Sequence, residues 1–166
     1  MSRVPPSLGD KGQGWVALQF VLLALALAVG VLDLSGWPEA YRGGLRYVGV
    51  IVVAAGVVLA VFAVLGLGSS LTALPAPLAH GELRTDGVYG VVRHPIYSAL
   101  LLLVLGWALV SSPWVLLVLA ALAVVLDLKR QVEEDFLTRR YDGAADHDSY
   151  AAYCLTVPWA LAPWLR

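Results

Sequence analysis

Two short clusters of polar side chains interrupt a chain that is otherwise mostly apolar, and its chemistry has to come from them. The first, Arg93-His94-Pro95-Ile96-Tyr97, lies directly against the apolar run Ile96 to Val110. The second, Glu133-Glu134, follows at a separation matching the reach of a helical hairpin. Ionisable groups at the mouth of a membrane segment are costly to keep there, so they point to a site before they point to packing. Arg93 offers a planar fork for a carboxylate or phosphate. Pro95 keeps His94 out of helical angles and presets the first turn of a helix. The free amides of that turn can hold an anion. Tyr97 adds a ring and a hydroxyl one turn further in, and either His94 or Glu134 can serve as a base.

The same residues also have plainer readings. Arg93 can snorkel to lipid headgroups while His94 merely caps. On a helix, Arg130 and Glu134 are four apart, as are Lys129 and Glu133, and such pairs occur on solvated helix faces. Asp127 borders the apolar run and can pair with Arg130 or face a cavity. Two adjacent carboxylates point in different directions, so one at most faces a given ligand.

The elements that must position these clusters are apolar spans. Of 166 residues, 60% are hydrophobic and 14% charged, well below the roughly 25% charge of a soluble domain. The net charge of −1 gives no field to attract nucleic acid. Cys154 is the only cysteine, which excludes an internal disulfide, and His80, His94 and His147 show no metal-ligand spacing, so no metal is expected. Residues 1–14 read as a flexible leader and 15–166 as a single membrane domain. Spans are expected at about 15–33, 46–67, 96–111 and 113–128. The first reads as an uncleaved anchor, with a signal peptide as the alternative. Residues 33–46 read as a polar loop. Gly49, Gly56 and Ala60 share a face of the second span that lets another helix approach closely, within the chain or in a dimer. The long connector from Gly68 to Pro95 is of a length that is usually functional or disordered.

The third and fourth spans form a hairpin, their apolar runs giving only about 21–23 Å each. The fourth helix should therefore continue from Pro113 to about Arg140. Residues 129–166 form a cytosolic helix and an interfacial tail carrying Tyr150, Tyr153, Trp159 and Trp164. Lysines and arginines number nine on one side of this arrangement and two on the other. That bias gives cytosolic termini and a site facing the cytosol. The expected fold is thus an all-α integral membrane protein of four transmembrane helices, in a bacterial-type inner or plasma membrane.

In combination the clusters say more. Arg-His-Pro-x-Tyr, a membrane hairpin and then Glu-Glu resembles the isoprenylcysteine carboxyl methyltransferase and phospholipid methyltransferase superfamily. Leu83-Arg84-Thr85-Asp86-Gly87-Val88-Tyr89 is similar to that family's lead-in, and Tyr150-x-x-Tyr153 with Pro158 to its closing motif. The resemblance covers about residues 69–158. It implies an S-adenosylmethionine-dependent methyltransferase, releasing S-adenosylhomocysteine and acting on a lipophilic acceptor such as a prenylcysteine-like carboxylate or a lipid head group. It also implies Arg93 and Glu134 as catalytic residues, and Tyr89, Arg93, His94, Pro95, Tyr97, Glu133 and Glu134 around the cosubstrate, with Tyr150 a further candidate. Arg93 would orient an acidic group and Glu134 would hold the donor's amino group. Two departures stand out: Ala99 where the family has Gly, and an insertion at Ala144 to Ser149 that could carry Tyr150 and Tyr153 away from the site. The competing classes are a reductase like the membrane sterol reductases, using a nicotinamide cofactor, and a non-enzymatic membrane scaffold.

Overall fold

The computed structural model describes residues 4–33, 36–141 and 149–162. The inserted residues 144–148, together with Pro163 and Trp164, lie outside the described residues. Among the described residues the chain is all-helical, without strands: α1 (Gln13–Leu32), α2 (Glu39–Leu67), α3 (Pro95–Val110), α4 (Val115–Tyr141) and α5 (Tyr150–Thr156). Short 3-10 turns occur at Gly68–Ser70 and Gly87–Gly90 inside the long connector.

Among these helices α1 and α2 are long and apolar enough to cross a membrane. Their large side chains mostly point outward: Phe20, Val21, Val50, Ile51 and Phe62 are all exposed. An apolar exterior of this extent suits a lipid surround and is rare on a soluble monomer. Residues 4–12, read from sequence as a loose leader, make defined contacts. The Trp15 indole donates to the Pro6 carbonyl at 2.9 Å, and Gly12 turns with φ of 77° against the Pro75 ring, where a Cβ would come within 2.5 Å.

One boundary differs from expectation. The polar stretch to residue 46 is not a loop throughout, because α2 begins at Glu39. The Pro38 carbonyl accepts from the amides of Tyr41 and Arg42 at 3.0 and 3.1 Å. A change in hydropathy marks where a helix leaves an apolar layer; it does not mark where its backbone hydrogen bonds stop.

The most extensive helix interface is between α2 and α3. Gly49 and Gly56 are buried on α2, with Ala63 continuing the same seven-residue spacing. A Cβ on Gly49 would meet the Gly106 carbonyl at 2.7 Å, and one on Gly106 would meet the Val53 amide at 2.7 Å. The small-residue face is therefore used within the chain to bring two backbones together.

Helix α4 follows α3 after residues 111–114 and packs on both α1 and α3. It runs past its apolar section to Tyr141, close to the expected end, whereas α3 stops at Val110. Its buried residues are Val115, Val118, Leu122, Val125, Leu126, Lys129 and Val132, a stripe of helical period. The upper part packs with Ala26, Tyr97, Val104 and Ala108 in the main core. Because the stripe does not stop where the apolar residues do, it carries Lys129 inward, and Glu133 one turn later. Asp127, Arg130 and Glu134 fall on the adjacent face. Helix α5 closes the assembly by burying Tyr150, Tyr153 and Val157 against Leu83, Leu137 and Tyr141.

Candidate functional site

The start of α3, the second half of α4 and the tail after α5 converge on one knot of charges. His94 precedes Pro95, the first residue of α3, and makes no side-chain cap to that helix. It is pinned by backbone: the amides of Arg93 and His94 donate to the carbonyls of Trp159 and Ala160, each at 2.9 Å. The tail thus runs beside the Arg93-His94 segment, which frees both side chains to turn toward α4.

Arg93 does not snorkel. Its side chain is 8% exposed, and its Nε and Nη2 donate to Glu134 Oε1 at 3.2 and 3.0 Å, while Nη1 donates to the Val157 carbonyl at 2.9 Å. Glu134 Oε1 also lies 3.1 Å from His94 Nε2, and its Oε2 accepts from Arg130 Nη1 at 3.1 Å. Arg130 in turn pairs with Asp127 at 2.7 Å. Burial alone would raise the Glu134 pKa. The His94 hydrogen bond and charge, with Arg93 and Arg130, outweigh it and lower the carboxyl to about 2. An ionised carboxylate only accepts, so Nε2 is the protonated nitrogen of His94. That leaves Nδ1 on the side of Glu133, 3.8 Å from its Oε2.

Glu133 is held differently. The Tyr97 hydroxyl donates to its Oε2, and the Tyr97 ring stacks on His94 with centroids 5.3 Å apart. Arg93, His94 and Glu133 line two neighbouring hollows, and Leu67, Thr72 and Tyr89 border both as well. One, about 90 Å³, lies beneath the connector and is bounded also by Tyr89, Tyr150 and Tyr153. The other, about 340 Å³, opens toward α1 and α2 and is bounded also by Gln19, Tyr97 and Lys129. Pro95 borders the second, and Glu134 borders neither.

The three tyrosines of the connector side are buried, and burial pushes each phenol above its ordinary pKa, with Glu133 adding to the effect at Tyr89 and Arg93 partly opposing it at Tyr150 and Tyr153. They remain hydrogen-bond donors. Tyr89 donates to the Ala63 carbonyl at 3.2 Å and Tyr153 to the Tyr89 carbonyl at 2.7 Å. Tyr150, 3% exposed, has a buried hydroxyl without a hydrogen-bond partner among the described residues. Such an orphan inside a hollow is a group waiting for a ligand or a water.

All seven residues named from sequence therefore gather at one place: Tyr89, Arg93, His94, Pro95, Tyr97, Glu133 and Glu134. Tyr150 and Tyr153 reach it too, despite the insertion before them. Ser149 caps α5 by accepting from the Ala152 amide at 3.1 Å, which sets the helix where its tyrosines turn inward. Sequence reasoning missed Gln19, a lone amide in the apolar run of α1, and it read Lys129 as a partner for Glu133. Lys129 is 1% exposed and donates instead to Gln19 Oε1 at 2.7 Å. The signal was present in the inward stripe of α4.

The two hollows thus share an arginine, a histidine and a carboxylate in their walls. No curated protein and no solved structure matches this chain. Residues 45–144 match the phospholipid methyltransferase family, a stretch that takes in Arg93 through Tyr97 and both glutamates, and the chain belongs to that family.

Proposed function

We propose that this protein transfers a methyl group from S-adenosylmethionine to a lipophilic acceptor that enters from the bilayer. The observation that carries the reading is the wall of Arg93, His94 and Glu133 shared by two hollows. One hollow lies under a polar connector, the other against apolar helices.

The residues of the connector side fit the donor. Three N–H groups of Arg93 are engaged by Glu134 and Val157, and the rest of its fork is available to a carboxylate. Glu133 is the carboxylate that borders both hollows, and we assign it to the donor's ammonium and sulfonium charge, with Glu134 as its buttress. Tyr89, Tyr150 and Tyr153 offer rings for a purine, and the Tyr150 hydroxyl a free donor. A hollow of about 90 Å³ is smaller than the roughly 300 Å³ a ligand of this size needs, so the connector must lift on entry.

When bound, S-adenosylmethionine supplies a methyl group already activated by its sulfonium. The chain's own task is then alignment of the two reactants across the wall. An acidic acceptor needs no base, and exclusion of water by the apolar inner hollow favours charge neutralisation as the methyl moves. An amine acceptor must first lose a proton, and His94 Nδ1, the ring nitrogen that does not face Glu134, is the group we assign to take it. In the same reading α1, α2, α3 and the first half of α4 span the bilayer, both termini lie in the cytosol, and the site faces the cytosol.

The test is to incubate membranes containing the protein with isotopically labelled donor and identify the labelled lipid by mass. We expect label in a lipid fraction, dependent on Glu133. Donor binding without label in any lipid would overturn the assignment.

A further inference from the structure

The inner hollow carries a buried cation that no ion pair among the described residues neutralises, Glu133 acting on it only at longer range. Lys129 is 1% exposed, in a stripe whose other members are all apolar. Its Nζ donates to Gln19 Oε1 at 2.7 Å and lies 5.0 Å from the centre of the Tyr97 ring. Both partners are neutral. Among the described residues no carboxylate lies within ion-pair distance of it, and Glu133, one turn away, accepts from Tyr97 instead. A buried ammonium with only an amide oxygen and a ring face keeps two of its three donors unspent. Such a charge is costly to bury unless an anion joins it. The space beside it is the hollow of about 340 Å³, lined by the apolar Val64, Leu67, Leu71, Ala73 and Ile96 and, at the charged knot, by Arg93, His94 and the carboxylate of Glu133, which is already engaged by Tyr97.

The geometry points to Lys129, oriented by Gln19, as the site that reads an anionic group, a carboxylate or phosphate, borne on the lipophilic acceptor. Gln19 belongs to α1, outside the residues 45–144 that match the family, so this part of the pocket is contributed by a helix the family match does not cover. The apolar part of that lining selects a lipid carrying the anion over a free one. The inference rests on the methyl-transfer reading for the identity of the acceptor, though not for the binding itself.

The test uses the full chain in phosphatidylcholine nanodiscs, with radiolabelled oleate and methyl oleate as probes that differ only in charge. Wild type should bind oleate about tenfold more tightly, the equivalent of about 1.4 kcal/mol. Millimolar acetate or inorganic phosphate should not compete; competition would overturn the lipid-borne assignment. Lys129→Met should remove the preference for oleate, and Lys129→Arg should keep most of it. Equal binding of the two probes by wild type needs no variant and would overturn the proposal, as would a preference that survives Lys129→Met. Calorimetric titration of the same samples with S-adenosylhomocysteine separates the two readings. Loss of that binding in wild type refutes methyl transfer alone, whereas intact binding without an oleate preference refutes the anion site alone.

Discussion

Two adjacent faces of α4 treat their charges in opposite ways. On one face Asp127, Arg130 and Glu134 join Arg93 and His94 in a closed set where both Glu134 oxygens are taken. On the other, Lys129 has a neutral amide and a ring, and Glu133 a phenol. Of the α4 residues, Asp127, Arg130 and Glu134 border neither of these two hollows, and the open face borders both through Glu133. Charged residues beside a membrane are therefore not all of one kind. A saturated network ties the start of α3 to α4 and the tail; an unsaturated one is left for what arrives from outside. Glu133 and Glu134 are neighbours in the chain, yet belong to different networks, because successive helical positions point about 100° apart.

The sharpest way to break this contrast is to remove one carboxylate from each face. Glu134→Gln should cost about 3 kcal/mol of stability, since Arg93 would keep a buried charge without a counterion while Arg130 would retain only Asp127. Thermal unfolding in nanodiscs measures it. The same network should respond to acid. With the Glu134 pKa lowered to about 2 from an ordinary 4.5, its contribution is complete above that ordinary value and is lost as pH falls through the lowered one. Wild type should lose stability in that acid window more steeply than Glu134→Gln, and identical profiles would detach the carboxylate from the network.

Glu133→Gln should do the reverse, leaving the unfolding midpoint within a degree or two and reducing methyl transfer about 100-fold, the lower end for loss of a charged or proton-handling group. If the variant unfolds as readily as Glu134→Gln, the two faces are not distinct. A control away from both is Gly49→Val, where a side chain would drive into the Gly106 carbonyl. Overpacking of that kind costs about 1–3 kcal/mol, read as a lower unfolding midpoint.

The smallest effect expected is from Tyr150→Phe. Its hydroxyl makes no bond among the described residues, so stability should hold or rise slightly, while donor affinity should fall about fivefold for one lost hydrogen bond. Unchanged affinity by calorimetry would take Tyr150 out of the donor's surroundings.

Much of the frame was legible beforehand because long apolar runs and helical spacing are local patterns. The apolar runs marked α1 through α4, the length argument carried α4 to its end near residue 140, and the Gly49/Gly56 spacing marked the α2 face that meets α3. The start of α2 was misplaced because polar residues Glu39 to Arg46 continue a helix whose hydropathy has already changed.

Of the site, the sequence named the Arg93 to Tyr97 segment and the two glutamates, each tied locally to a helix start or to helical period, and joined them only through the resemblance of their order to a family pattern. Tertiary structure decided which glutamate is saturated, that the tail's carbonyls hold Arg93 and His94, and that Gln19 meets Lys129 across 110 positions. Those outcomes turn on contacts between segments distant in the chain, and a single buried amide or carbonyl leaves no periodic trace in a sequence. Whether a charge is spent or available is a property of its surroundings, so only the folded chain can set it.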